Sequence, residues 1–146
     1  MDSFIPVYEP TLYGEELKYA TDAIKSTWIS SLGKYISLFE SGFSEFIGCK
    51  FGVAVCNGTA ALHVAMAALG IGKGDEVIVP DMTFVASPNT VMYTGAKPVF
   101  VDADRETWCI DVSKIEAKIT KKTKAIMPVH LYGHACDMDA IMKIAE

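Results

Sequence analysis

Gly52-Val53-Ala54-Val55-Cys56-Asn57-Gly58-Thr59-Ala60-Ala61-Leu62 is the stretch from which the fold is read. It begins as a short β-branched run, the pattern of a buried strand. It breaks at Asn57-Gly58, a dipeptide suited to backbone angles that most residues avoid. From Thr59 it continues through Ala60, Leu62, Val64, Met66 and Leu69, mostly strong helix formers, and stops at Gly70. A strand, a tight glycine turn and a helix start make an anion site, because the first helical turn leaves its N–H groups unpaired and its dipole favours negative charge. Gly58 allows a phosphate to approach the backbone, and Thr59 adds a hydroxyl donor. An ordinary connection with Thr59 as helix cap reads equally well from this stretch alone.

Working outward, apolar strand runs alternate with helical patterns. Toward the N-terminus, Pro6 and Pro10 bracket an extended entry. A helix is expected over about Glu15 to Ser26, and Trp28 to Lys34 reads as a hydroxyl-rich loop. Ile36, Phe39, Phe43, Phe46 and Ile47 form an apolar stripe expected to face a core, ended by Gly48. Toward the C-terminus, Glu76 to Pro80, Val99 to Asp102 and Ala125 to Val129 read as further strands. Helices are expected over 84–94, from a cap at Asp111 through Ile115 and Ile119, and from Asp137 onward. Connections of this length exclude hairpins. The fold class is therefore α/β, a mainly parallel sheet flanked by helices on both faces. Ligands of such sheets bind beyond the carboxyl ends of the strands. Asn57–Thr59, Asp81–Phe84 and His130–Gly133 are the loops expected there. The last pattern, Met138, Ile141, Met142 and Ala145, meets Glu146 without a capping signal, as expected of a chain truncated within a longer domain.

Composition removes several function classes. Residues 1–146 are 51% hydrophobic with mean hydropathy +0.26, which fits a globular domain and not a disordered one. The net charge of −5 and the lack of a basic stripe argue against nucleic acid as a partner. No apolar run approaches the ~20 residues of a membrane span. Met1-Asp2-Ser3-Phe4 has no signal-peptide form, and the four scattered cysteines (Cys49, Cys56, Cys109 and Cys136) fit reduced thiols in a cytoplasmic protein.

Known chemical motifs are mostly missing. His63, His130 and His134 stand at no metal-ligand spacing, and His63 reads as a core histidine. There is no dinucleotide fingerprint, no P-loop and no nucleophile elbow. Nothing marks Cys56 or Cys136 as activated, so both read as buried bystanders.

Ordered motifs carry more. Cys56 to His63, Gly70 to Pro80, Thr83-Phe84-Val85-Ala86-Ser87, Thr94 to Asp102, Ile126 to Gly133 and Cys136-Asp137-Met138-Asp139 follow one another along the chain. Together they resemble the DegT/StrS-type sugar aminotransferases, fold-type-I enzymes that use pyridoxal 5'-phosphate (PLP). Met127 to Tyr132 and Cys136 to Asp139 are most similar to the perosamine-forming branch of that family.

The resemblance implies roles. Residues 1–146 would be the N-terminal part of the aminotransferase large domain. Gly58 and Thr59 match the turn that binds the PLP phosphate. Phe84 matches the aromatic residue that stacks on the pyridine ring; otherwise it is one more core phenylalanine. Ser30, Ser31 and Ser87 lie where family members line the substrate cleft, although most loop serines are simply solvated. The reaction implied is amino transfer from glutamate to a nucleotide-linked 4-keto-6-deoxy sugar such as GDP-4-keto-6-deoxymannose, in a cytoplasmic homodimer. The family's PLP-binding lysine and ring-nitrogen aspartate match no residue here and are expected beyond Glu146, so the catalytic set is empty. A non-catalytic module that binds a nucleotide sugar, a phosphate ligand or a partner subunit is the alternative.

Overall fold

The structure, a computed structural model, describes residues 4–146 and divides into two compact units, the first ending at Ala54 and the second running Val55–Glu146. In the first unit, α1 (Glu16–Lys25) and α2 (Lys34–Ile47) are amphipathic helices. The Asp22 carboxylate joins them, accepting from the Tyr35 hydroxyl at 2.7 Å and pairing with Lys34 Nζ at 2.6 Å. The aromatic stripe of α2 is not a core face within this unit. Phe39 and Phe43 stack on each other with ring centres 5.7 Å apart, and both remain exposed. Helical spacing identified the apolar side of α2, but spacing does not say what covers it.

The run Gly52–Val55 is not a strand. The Ala54 N–H, which a ladder would need, donates to Glu40 Oε1 at 2.8 Å. Gly52 passes so close to α2 that a Cβ would stand 2.6 Å from the Glu40 carbonyl oxygen. A β-branched run becomes a strand only where a partner strand takes its backbone groups. Here α2 takes one of them.

The second unit is built on three parallel strands, β1 (Glu76–Pro80), β2 (Lys97–Val101) and β3 (Thr123–Ile126), in the order β2-β1-β3. β1 is buried along its whole length, as a central strand covered on both faces must be. Its side chains alternate between two cores. Val77 and Val79 pack with Met66 of α3 (Gly58–Ala68) and Val91 of α4 (Ala86–Tyr93). Ile78 packs with Ile110, Ile115, Val101 and Ile141 of α5 (Met138–Ala145). The expected parallel sheet flanked by helices is present.

Three expectations about helices need qualification. Asp111 caps as read, accepting from the Ser113 N–H at 3.1 Å, but the residues after it form two 3₁₀ turns, Val112–Lys114 and Glu116–Lys118. Ile115 is buried between them while Ile119 is exposed, so one residue anchors the segment and no continuous apolar face forms. His63 is exposed and meets Tyr93 edge-on, with ring centres 5.7 Å apart. Its mostly apolar helix hid a solvent-facing position. Among the described residues no helix is long and apolar enough to cross a membrane.

Candidate functional site

The chain leaves β1 through α4 to β2 on one side, then returns under the opposite face to β3 on the other. The carboxyl end of β1 is therefore a switch point, where loops leave in opposite directions and open a crevice. Two of the three expected loops follow strands at this end: Asp81–Phe84 after β1, and the segment leading to His130–Gly133 after β3. Asn57–Thr59 follows extended chain instead, and opens α3, which packs against α4.

The start of α3 is specific in its hydrogen bonding. Asn57, in extended conformation, is the cap: its Oδ1 accepts from the Ala60 N–H at 2.9 Å. Thr59 is the second helical residue, so its hydroxyl is not the capping group. With Ala60 bonded, the N–H groups of Gly58 and Thr59 have no acceptor among the described residues. Gly58 takes ordinary helical angles, which corrects the expectation of a backbone that only glycine tolerates. A Cβ placed on it meets no atom within 4 Å. Glycine here keeps the approach to two free N–H groups clear, which suits an anion seated on the helix end.

Phe84 is 77% exposed at the end of the β1 loop, so it is not a core phenylalanine. Ser87 is buried, and its hydroxyl shares a 2.8 Å hydrogen bond with the Thr83 hydroxyl. The Ser87 N–H donates to the Phe84 carbonyl at 3.0 Å. This clasp brackets Phe84 on both sides, and it makes Ser87 a residue that shapes the loop. Ser30 and Ser31 belong to the first unit, on the exposed loop between α1 and α2. Sequence reasoning missed Asn57 as the cap and Thr83 as the clasp partner. The first was legible as Asn three residues before a helical Ala; the second had no signal.

Cysteine placement is mixed. Cys136 is buried, and its thiol is pushed up by burial first and by contact with the Cys109 thiol second. Cys56 is exposed, which corrects its reading as a buried bystander. It lies just outside the packed start of α3, where its sulfur accepts from Asn57 Nδ2 at 3.4 Å.

Comparison with known proteins bears on this geometry. The model of the DegT/DnrJ/EryC1/StrS aminotransferase family matches residues 10–146. The chain belongs to this family. Among DegT/DnrJ/EryC1/StrS relatives, GDP-perosamine synthase of Escherichia coli O157:H7 is 57% identical over 143 residues, 98% of this chain and 39% of that protein. The chain thus spans less than half the length of that curated relative. The PLP form of Spr1654 from Streptococcus pneumoniae superposes with a TM-score of 0.88 at 36% identity, covering 96% of this chain and 36% of that one. NtdA from Bacillus subtilis, solved with bound cofactor PMP, superposes with a TM-score of 0.82 at 40% identity, covering 88% of this chain and 29% of that one.

Proposed function

We propose that residues 1–146 are the N-terminal part of the large domain of a PLP-dependent sugar aminotransferase and supply its phosphate seat and ring platform. The observation that carries this reading is the open first turn of α3. Asn57 takes the Ala60 N–H and leaves those of Gly58 and Thr59 for an outside acceptor. A phosphate monoester fits that seat, and a flat ring attached to it fits an exposed Phe84. The PLP and PMP bound by the related structures have both parts.

When bound, the pyridoxal group supplies an electron sink for the carbon that loses its proton. The residues of this chain bind and orient. Gly58 and Thr59 donate backbone N–H groups to the phosphate, and Thr59 adds its hydroxyl. Phe84 covers one face of the ring, and the Thr83–Ser87 clasp holds the loop that presents it. Ser30 and Ser31 offer hydroxyls to the substrate. No lysine here matches the family's lysine, so the reading assigns these residues no proton transfer.

The similarity to GDP-perosamine synthase supports amino transfer to a GDP-linked sugar; we propose GDP-4-keto-6-deoxymannose as the acceptor, glutamate as the donor and a cytoplasmic homodimer as the assembly. The test gives the full-length protein PLP, ¹⁵N-glutamate and GDP-4-keto-6-deoxymannose, and follows the label. Label in a nucleotide amino sugar is expected. Label that stays in glutamate while the keto sugar is intact refutes the reading.

A further inference from the structure

No run of the sequence is basic enough to be a stripe, but the second unit gathers lysines from distant positions to one end of its sheet. Lys97 opens β2, and the register places it beside Glu76, the first residue of β1. Lys121 and Lys122 form the turn into β3, where the Lys122 carbonyl accepts from the Glu76 N–H at 2.8 Å. Lys124 follows on β3 itself. Lys118 ends the second 3₁₀ turn two residues before Thr120, whose hydroxyl donates to Glu76 Oε2 at 2.6 Å. Lys73 reaches the same end: a Cβ on Gly95, two residues before Lys97, would stand 3.6 Å from the Lys73 backbone nitrogen. All six are exposed, and they are six of the 13 Lys and Arg residues of a chain whose net charge is −5. The carboxylates among them are Glu76, Glu116 and Asp75, the last tied to the Gly72 N–H at 3.0 Å. Lys143 and Glu146, where α5 ends beside β3, cancel each other. The opposite end of the strands has the reverse sign, with Asp81, Asp102, Asp104, Glu106, Asp111 and Asp137 against Arg105 and Lys114.

We propose that this amino end of the sheet is a docking surface for an anionic lipid bilayer. Neighbouring strands lie about 4.8 Å apart, so the three strand starts span ~10 Å and act as one patch at physiological salt, where charges are screened over about 8 Å. The opposing carboxylates lie a strand length away, roughly 16 Å, and are screened from a surface that touches the lysines. Two features favour a lipid surface over a folded partner. The patch is all lysine, with no arginine fork to pair a fixed carboxylate, and lysine is depleted at protein–protein interfaces. Exposed aliphatic side chains flank it: Leu69, at 68% exposure, precedes the turn that carries Lys73, and Ile119, at 43%, follows Lys118. Both are placed to enter the headgroup layer beside the ammonium groups, and a basic patch with apolar tips holds reversibly to anionic membranes. Docked this way, the unit turns the loops after β1 and β3, with Phe84, away from the bilayer and leaves the proposed cofactor crevice open.

The test reads sedimentation and needs no turnover, so it stands apart from the cofactor reading. Full-length protein is spun with vesicles of phosphatidylcholine, alone or with about one-third phosphatidylglycerol, at ~0.1 M and ~0.5 M salt. Binding is expected to the anionic vesicles only, and is lost at the higher salt. Lys121→Gln/Lys122→Gln should weaken it roughly 30-fold, since each lysine near such a surface is worth about fivefold. Arg105→Gln/Lys114→Gln removes the same charge from the other end of the strands and should leave binding within about twofold. Equal binding to neutral vesicles, binding that survives the higher salt, or equal loss in the two double variants overturns the proposal. Retention on polyglutamate or single-stranded DNA with none on the anionic vesicles overturns it too, and gives the patch to a soluble polyanion.

Discussion

Replacing Phe84 with alanine separates folding from binding. With the side chain 77% exposed, only about a quarter of its surface is covered by protein. A fully buried phenylalanine hides roughly 200 Å², so the covered part is about 50 Å². At about 25 cal/mol per Å² that is ~1 kcal/mol, an upper figure because the unfolded chain also covers some of it. A core Phe→Ala change costs about 3–5 kcal/mol. In binding, stacking contributes about 0.5–1.5 kcal/mol beyond area, and the newly covered ring face adds ~1 kcal/mol. Phe84→Ala should therefore lower PMP affinity by about 2 kcal/mol, roughly 30-fold, and leave the melting temperature within a few degrees. PMP is the right probe because it has the phosphate and the ring but no aldehyde for surface lysines to capture. Calorimetric titration and thermal melting are run on the same samples, with Val79→Ala as the buried control. Unchanged PMP affinity refutes the platform role. A loss of melting temperature as large as that of Val79→Ala refutes the exposure argument.

Gly58→Val should fold normally, because a Cβ there meets no protein atom, but lose more than about tenfold in PMP affinity. Thr59→Ala removes one hydrogen bond to a charged group and should cost less, about 1–2 kcal/mol; equal affinities for all three proteins in the same titration count against the seat. A third expectation concerns acid. The Lys114 ammonium holds the Asp102 carboxyl below its usual range, and the Ser113 hydroxyl, then Lys114, does the same for Asp111. Carboxyls lowered by folding stabilise the fold above their unfolded pKa, and that contribution fades as pH falls through the folded values. The melting difference between the natural chain and Lys114→Met should thus be present at neutral pH, begin to shrink near about pH 4, and be lost only as pH falls further through the lowered folded values. A difference constant down to pH 2 contradicts it.

What was legible in the sequence had a local cause. β1 carries the apolar run Val77 to Val79 between Glu76 and Pro80, and the structure buries every residue of the strand. α3 is a run of helix formers between Asn57 and Gly70, and α5 opens at Asp137, whose carboxylate accepts from the Ala140 N–H at 3.0 Å. Two misreadings, at Gly52–Val55 and along α2, concern what surrounds a segment and not the segment itself. Val53 and Val55 have strand chemistry, yet Glu40 takes the Ala54 N–H. Phe39 and Phe43 have core chemistry, yet they stack on each other and stay exposed. For the proposed site, residue type offers Gly58, Thr59 and Phe84, and the structure leaves the first two N–H groups without an acceptor among the described residues and the Phe84 ring exposed. The cap at Asn57 was legible as an Asn three residues before a helical Ala, and it is this cap that takes the Ala60 N–H and leaves those of Gly58 and Thr59 open.

Ser87 shows how far that difference reaches. The resemblance places it along the cleft, and a hydroxyl in a cleft is expected to touch substrate. In the structure it is 5% exposed and its hydroxyl is bonded to Thr83, so a substrate contact would have to break a 2.8 Å bond. Its N–H bond to the Phe84 carbonyl points to another role, holding the aromatic residue where the ring needs it. The two roles give opposite results in a double-mutant cycle on PMP affinity. If Ser87 works through Phe84, Ser87→Ala weakens binding in the natural chain, by about 0.5–1.5 kcal/mol for one lost neutral hydrogen bond. The same substitution should then cost almost nothing once Phe84 is alanine, since no ring remains to be placed. A coupling energy close to the whole single-variant loss is the expected result. Additive losses mean that Ser87 acts on the ligand directly or not through Phe84 at all, and the positioning argument fails.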